Sequence, residues 1–133
     1  MKTQVGLLGL GNIGTGVAEY LRDYGSPHEL SLKAVADVDT EKLKNSGLPN
    51  VSVTNNPYEV IRDPQVQIVV ELIGGEHPAK EYLMEAIDNG KAVVTANKFT
   101  ISRYSRQLFE SARKRGVDVG FEASSGGGIP IIQ

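Results

Sequence analysis

An apolar run, Val5 to Leu10, passes directly into Gly9-Leu10-Gly11-Asn12-Ile13-Gly14, and from there Ile13, Val17, Leu21 and Tyr24 recur at helical spacing. A strand, a G-x-G-x-x-G turn and a helix in that order leave few folds open, because each glycine has a mechanical task. Gly9 permits the tight turn, Gly11 lets backbone approach a diphosphate, and Gly14 lets helix and strand pack closely. The helix N-terminus contributes free N–H donors and a partial positive charge. The motif alone is weak, and a glycine-rich turn in an unrelated α/β domain is the competing reading. Its context predicts a dinucleotide held at Gly9, Gly11, Asn12, Ile13 and Gly14.

The rest of the chain keeps alternating. Strands are expected at Leu30 to Val38, Val51 to Val53, Gln67 to Ile73, Lys91 to Thr95 and Val117 to Phe121. Between them fall helical patterns: the first closed by Gly25 and Pro27, a short one over Lys42 to Gly47, and one from Pro57 to Asp63-Pro64. A further helix starts at Pro78 with Leu83 and Ile87 on its apolar face and stops at Gly90. The last covers Ser102 to Arg115, with Leu108 and Ala112 inward and Gly116 as its stop. This alternation predicts an α/β fold, a Rossmann-type doubly wound parallel sheet of about six strands with flanking helices. Right-handed crossovers then bring every strand's C-terminal end to one edge, where ligands bind.

Length and composition narrow the partners. The 133 residues fit one domain, residues 1–133, with no repeat or linker. A net charge of −2 provides no basic footprint for nucleic acid, and no apolar run is long enough to span a membrane. The chain has no cysteine, which excludes disulfides and thiolate chemistry and fits a cytoplasmic protein. His28 and His77 lack metal-ligand spacing, and Arg113-Lys114-Arg115 reads as a helix C-terminus with cations set against the dipole.

Asp37 lies 23 positions after Gly14, close to the roughly 20 expected of a carboxylate that binds the adenosine ribose hydroxyls. Such a carboxylate repels a 2′-phosphate, so NAD is favoured over NADP, although Lys42 and Lys44 stand close enough to tolerate the phosphate. The alternative is that Asp37 or Asp39 caps the short helix that follows. Glu71, a carboxylate inside an apolar strand, must face a polar partner or the sheet edge.

Three further segments fall at strand ends: Val69-Val70-Glu71-Leu72-Ile73-Gly74-Gly75 with Pro78-Ala79, Val93-Val94-Thr95-Ala96-Asn97-Lys98, and Glu122 to Ile132. With the N-terminal Gly-Leu-Gly-Asn-Ile-Gly, and over essentially the whole chain, they resemble the N-terminal domain of homoserine dehydrogenase. That resemblance implies an oxidoreductase interconverting L-homoserine and L-aspartate 4-semialdehyde with NAD(P)(H), on the aspartate route to threonine, methionine and isoleucine. It implies a functional active-site lysine at Lys98, which by pattern alone would read as a solvated surface lysine. It further implies cofactor contacts at Ile73, Gly74, Gly75, Ala96 and Asn97, although a plain turn explains the glycines equally well.

The same resemblance implies a sodium-binding loop in which a carboxylate and backbone carbonyls of Glu122, Ser125, Gly127 and Ile129 hold the ion. A valine is common in the family where this chain has Ser125. A flexible connection explains the segment equally well. Family members continue from Gly-Gly-Ile-Pro-Ile-Ile into a substrate-binding and dimerising domain, so the resemblance implies a homodimeric or homotetrameric parent. This chain, ending at Gln133, is expected to bind cofactor without turnover. Two other readings keep the fold and change the role: another NAD(P)-dependent dehydrogenase of the aspartate dehydrogenase type, and a stand-alone NAD(H)-sensing regulatory domain.

Overall fold

The computed structural model describes residues 2–24, 29–48 and 50–121. Gly25, Pro27 and His28, and the Glu122, Ser125, Gly127 and Ile129 loop, lie outside them. The elements run β1 (Thr3–Leu8), α1 (Asn12–Tyr24), β2 (Leu30–Ala36), α2 (Thr40–Lys44), β3 (Ser52–Thr54) and α3 (Pro57–Ile61). They continue with β4 (Ile68–Glu71), α4 (Ala79–Asp88), β5 (Ala92–Thr95), α5 (Lys98–Arg115) and β6 (Val119–Gly120). The strands form one six-stranded sheet in the order β3-β2-β1-β4-β5-β6, and every neighbouring pair is parallel. The chain winds outward from β1 through β2 and β3, then returns to the other side of β1 with β4. That reversal is the switch point at which such sheets open a crevice at their strand ends.

Alternation along the strands fills two cores. Val5, Leu7, Leu32 and Val35 face α1 and α2, where Ala18, Leu21 and Leu43 meet them. Leu8, Ala34, Ala36, Val69 and Val93 face the other way, against Val60 and Ile61 of α3, Leu83 and Ile87 of α4, and Leu108 and Ala112 of α5. Each fully buried leucine or isoleucine in these layers contributes on the order of 1.5–3 kcal/mol relative to exposure.

Helix ends follow their local chemistry. Asp39 caps α2 by accepting from the Glu41 and Lys42 amides, Asn56 caps α3 with Pro57 in the first turn, and Gly116 ends α5 at φ 68° behind Arg113, Lys114 and Arg115. Among the described residues, one cation is buried. Lys91 donates its Nζ protons to the carbonyls of Asp63 and Val66, each at 2.6 Å, pinning the turn that feeds β4; burial pushes its pKa down.

Several boundaries differ from the sequence expectation. β2 stops at Ala36 rather than Val38, and β4 stops at Glu71 rather than Ile73, so Asp37, Ile73 and their neighbours are released into the crevice loops. α5 begins at Lys98 rather than Ser102. Phe99, Thr100 and Ile101 are weak helix formers, but Asn97 accepts from the Thr100 amide and starts the helix four residues early. Ile13, expected as a cofactor contact, is 65 % exposed and lines a cleft at the strand ends, while Ala18 and Leu21 take the inward positions of α1.

Candidate functional site

The turn between β1 and α1 is held from two sides. The Gly9 amide donates to the Ala36 carbonyl at 2.8 Å, and the Leu10 amide donates to Asp37 Oδ2 at 2.6 Å. Asp37 Oδ1 accepts from the Asp39 amide at 2.8 Å, and Asp39 rather than Asp37 caps α2. Asp37 therefore clamps the glycine turn to the end of β2 while half of its side chain still meets the crevice. Gly9, at φ 104°, adopts a backbone conformation that side-chain-bearing residues rarely take. A Cβ on Gly14 would overlap the carbonyl oxygen of Gly9, so the helix-to-strand packing expected of this glycine is tight. A Cβ on Gly11 would meet nothing within 4 Å. Protein packing does not require glycine there, and the open space lies where α1 presents its uncompensated amides.

Two clefts flank this turn along the strand ends. One, of about 330 Å³, opens between the β2 end (Asp37, Val38) and the loop after β4 (Leu72, Ile73, Pro78), with Gly9 and Gly11 as its floor and Tyr82 and Pro57 behind. Val38 stands 84 % exposed on its rim. The other, of about 140 Å³, lies over β4 and β5 and is lined by Ile13, Glu71, Leu72, Gly74, Ala96 and Asn97. A larger cleft of about 440 Å³ sits on the outer flank between α1 and α2 and takes in Leu10, Gly11 and Asn12 from the turn. The two smaller clefts, not the largest, lie along the sheet edge where the topology places a ligand.

The expected site residues thus gather along one edge. Gly9, Gly11, Asp37 and Ile73 share one cleft; Ile13, Gly74, Ala96 and Asn97 share the next. Lys98 is the exposed first residue of α5, beside Asn97 and outside the described clefts. A cation in the first turn of a helix is disfavoured by the dipole, so its placement owes nothing to helix stability.

Beneath the second cleft, the sequence singles out Glu71 and Asn97 but not the bonds that join them. Glu71 is completely buried; its Oε1 accepts from the Thr95 hydroxyl at 2.6 Å, and its Oε2 accepts from the Ile73 and Gly74 amides, each at 2.9 Å. Thr95 Oγ1 accepts in turn from the Asn97 amide at 3.0 Å, and Asn97 Nδ2 donates to the Gly75 carbonyl. The polar partner of Glu71 is thus the next strand and its own following turn. Acid, hydroxyl and amide at three adjacent strand-end positions are the signal, but their pairing requires knowing that β4 and β5 are neighbours.

His77 closes the other side of the β4 loop. Its Nδ1 lies 2.7 Å from Glu81, and its Nε2 lies 3.3 Å from both Glu76 and the Tyr104 hydroxyl, which donates to Glu76 at 2.7 Å. The Glu81 bond, supported by charge on Glu81 and Glu76, raises the His77 pKa above its ordinary value near 6.5. The imidazolium's stabilising contribution is accordingly complete below about pH 6.5 and fades as pH rises through the raised value. Glu81→Gln is expected to move the His77 midpoint, followed by proton NMR, back toward the ordinary value. An unchanged midpoint would mean that the contact does not persist in solution. Among the described residues, no group of three or more histidines and carboxylates is arranged to hold a metal ion, and no helix is long and apolar enough to cross a membrane.

A doubly wound parallel sheet with a glycine turn and two clefts at its switch point defines a nucleotide-binding α/β domain of the Rossmann type. The family model described as "Homoserine dehydrogenase, NAD binding domain" matches residues 9–122, and the chain belongs to that family. It is 41 % identical to the homoserine dehydrogenase of Bacillus subtilis over 98 % of this chain and 31 % of that protein. It is also 41 % identical to the Synechocystis enzyme over the whole chain and 32 % of that protein. The crystal structure of a homoserine dehydrogenase from Thiobacillus denitrificans superposes with a TM-score of 0.83 at 40 % identity, covering 93 % of this chain and 30 % of that one. The chain thus spans about a third of the length of the relatives it matches.

Proposed function

We propose that residues 1–133 form the cofactor module of an NAD(P)-dependent oxidoreductase that interconverts L-homoserine and L-aspartate 4-semialdehyde, and that this module prefers NAD to NADP. The observation that carries the cofactor reading is the turn itself: open space at Gly11, facing the amides of α1, beside a carboxylate clamped at the β2 end. A diphosphate fits that space because the helix N-terminus offers N–H donors and no acidic side chain occupies its first turn. The cleft bounded by Val38, Pro57, Pro78 and Tyr82 suits the flat apolar faces of a purine, and the cleft at Ile13, Gly74, Ala96 and Asn97 suits the nicotinamide half.

The bound cofactor supplies or takes the hydride. The chain's own residues orient it: Asp37 accepts from ribose hydroxyls, the first-turn amides hold the diphosphate, Ile73 borders the purine cleft, Ile13 borders the nicotinamide cleft, and Asn97 holds Gly75. Lys98 then presents an ammonium to the substrate oxygen, where it polarises the carbonyl or passes a proton. The parent is read as a cytoplasmic homodimer or homotetramer, with sodium held at Glu122, Ser125, Gly127 and Ile129; motif resemblance supports these last readings.

Parallel titrations with NADH and NADPH, on the wild-type chain and on Asp37→Ala, test the preference. Because Asp37 also satisfies the Leu10 amide, the substitution should weaken both ligands several-fold. The NADH-to-NADPH affinity ratio isolates the charge effect, and it should fall about tenfold, equivalent to about 1.4 kcal/mol. An unchanged ratio would leave Asp37 only as a clamp, and absence of wild-type binding at millimolar cofactor would refute the module itself.

A further inference from the structure

The buried carboxylate of Glu71 lies under the cleft that the proposed function gives to the nicotinamide half, and it has no counter-charge among its hydrogen-bond partners. Its two oxygens accept from two amides of its own following turn and from a hydroxyl of the neighbouring strand. Burying such a group is costly unless every lone pair is used, so a carboxylate in place of an apolar side chain needs a reason other than stability.

The geometry supplies one. Ile73 and Gly74 are fastened to Oε2, and Gly74 and Gly75 run at φ 86° and 76°, a path that only glycine follows without strain. Among the described residues, a Cβ at either would meet no non-neighbouring atom within 4 Å, so the hydrogen bonds to Glu71 and Asn97 are what fasten this turn. Thr95 then transmits the anchor to the next strand end by accepting from the Asn97 amide, and Asn97 reaches back to the Gly75 carbonyl. The circuit closes: β4 end, β5 end and both following turns are tied through one carboxylate.

We propose that Glu71 is a positioning residue that fixes the 73–75 turn and the Asn97–Lys98 helix start relative to each other, so that the nicotinamide half of the cofactor depends on it far more than the adenosine half does. The proposal rests on the cofactor reading above and deepens it. Glu71 touches no reacting atom; it acts through Ile73, Gly74, Thr95 and Asn97. The adenosine side hangs on bonds that Glu71 does not enter, Gly9 to Ala36 and Leu10 to Asp37, and meets the turn that Glu71 holds only along its Leu72–Ile73 rim.

The test compares NADH with ADP-ribose, which keeps the adenosine diphosphate and lacks the nicotinamide. Glu71→Gln turns one acceptor of the circuit into a donor facing the Thr95 hydroxyl. Thr95→Val keeps the shape, removes the hydroxyl, and serves as the second variant should Glu71→Gln fail to fold. Each is expected to weaken NADH about tenfold while leaving ADP-ribose within about twofold of the wild-type chain. A merely structural role would lower the melting temperature and weaken both ligands in parallel, or neither, and that result would overturn the proposal. Failure of the wild-type chain to bind either ligand would instead overturn the cofactor reading, so the two failures are distinguishable.

Discussion

Gly14→Ala is expected to abolish measurable NADH binding and to lower the melting temperature by about 10 °C. The added methyl would overlap the Gly9 carbonyl oxygen and stand 2.9 Å from the Gly9 carbonyl carbon. The clash is with backbone, so no side chain can swing away. Relief requires moving either α1 or the Gly9 peptide, and Gly9 is held at φ 104° by its bond to Ala36 and by the Leu10–Asp37 bond beside it. Losing those two bonds costs about 1 kcal/mol each, and forced overpacking costs roughly 1–3 kcal/mol more. The better helix propensity of alanine returns at most about 1 kcal/mol. A net loss of about 3 kcal/mol corresponds to the stated temperature shift for a domain of this size.

The same movement displaces the amides that would receive the diphosphate. NADH affinity should therefore fall at least about 100-fold, or about 2.7 kcal/mol. Gly11→Ala is the control, because its methyl meets no protein atom. It should leave thermal stability nearly unchanged and still weaken the cofactor, since only the ligand competes for that space. Calorimetric titration and melting curves on the two variants separate the effects. Retention of near-wild-type affinity by Gly14→Ala would show that the turn does not bind the diphosphate as described.

Much of this edge is legible in the sequence. Leu83 and Ile87, Leu108 and Ala112, and the apolar runs of β1 and β4 all lie where period and turn signals put them, because a sheet covered on both faces buries both sides of its strands. Ile13 falls in the helical spacing of α1 yet is exposed at a cleft, and only the glycine motif, not the period, distinguishes it from the buried Leu21. Lys98 was placed before the helix because propensity is summed over residues, whereas one cap from Asn97 decides the start. Glu71 could be recognised as anomalous but not explained, since Thr95 is 24 residues away and adjacency of strands is a property of topology. In each case local pattern was readable and the long-range partner was not.

Gly6 shows the same limit inside the core and leads to the second large effect. It lies in the apolar run of β1, where glycine weakens a strand unless a close neighbour requires it. A Cβ there would overlap Val60 Cγ1 of α3 and stand 3.0 Å from Val66 Cγ1, and both valines are buried. The ladder to β2 also slips at this point, Val5 pairing with Leu32 and Gly6 with Ala34, so the strand is already adjusted to α3 pressing on it. Gly6→Ala is therefore expected to destabilise by about 2 kcal/mol through overpacking. Val60→Ala alone should cost about 2 kcal/mol by opening a cavity at the same place. Combined, the alanine methyl at position 6 moves into the room that Val60 vacates, so the double variant should be at least about 1 kcal/mol more stable than the sum of the single losses. Denaturant unfolding of the four proteins measures that coupling. Strict additivity would mean that α3 does not sit on Gly6, and the close approach of helix and strand that sets this half of the sheet would have to be abandoned.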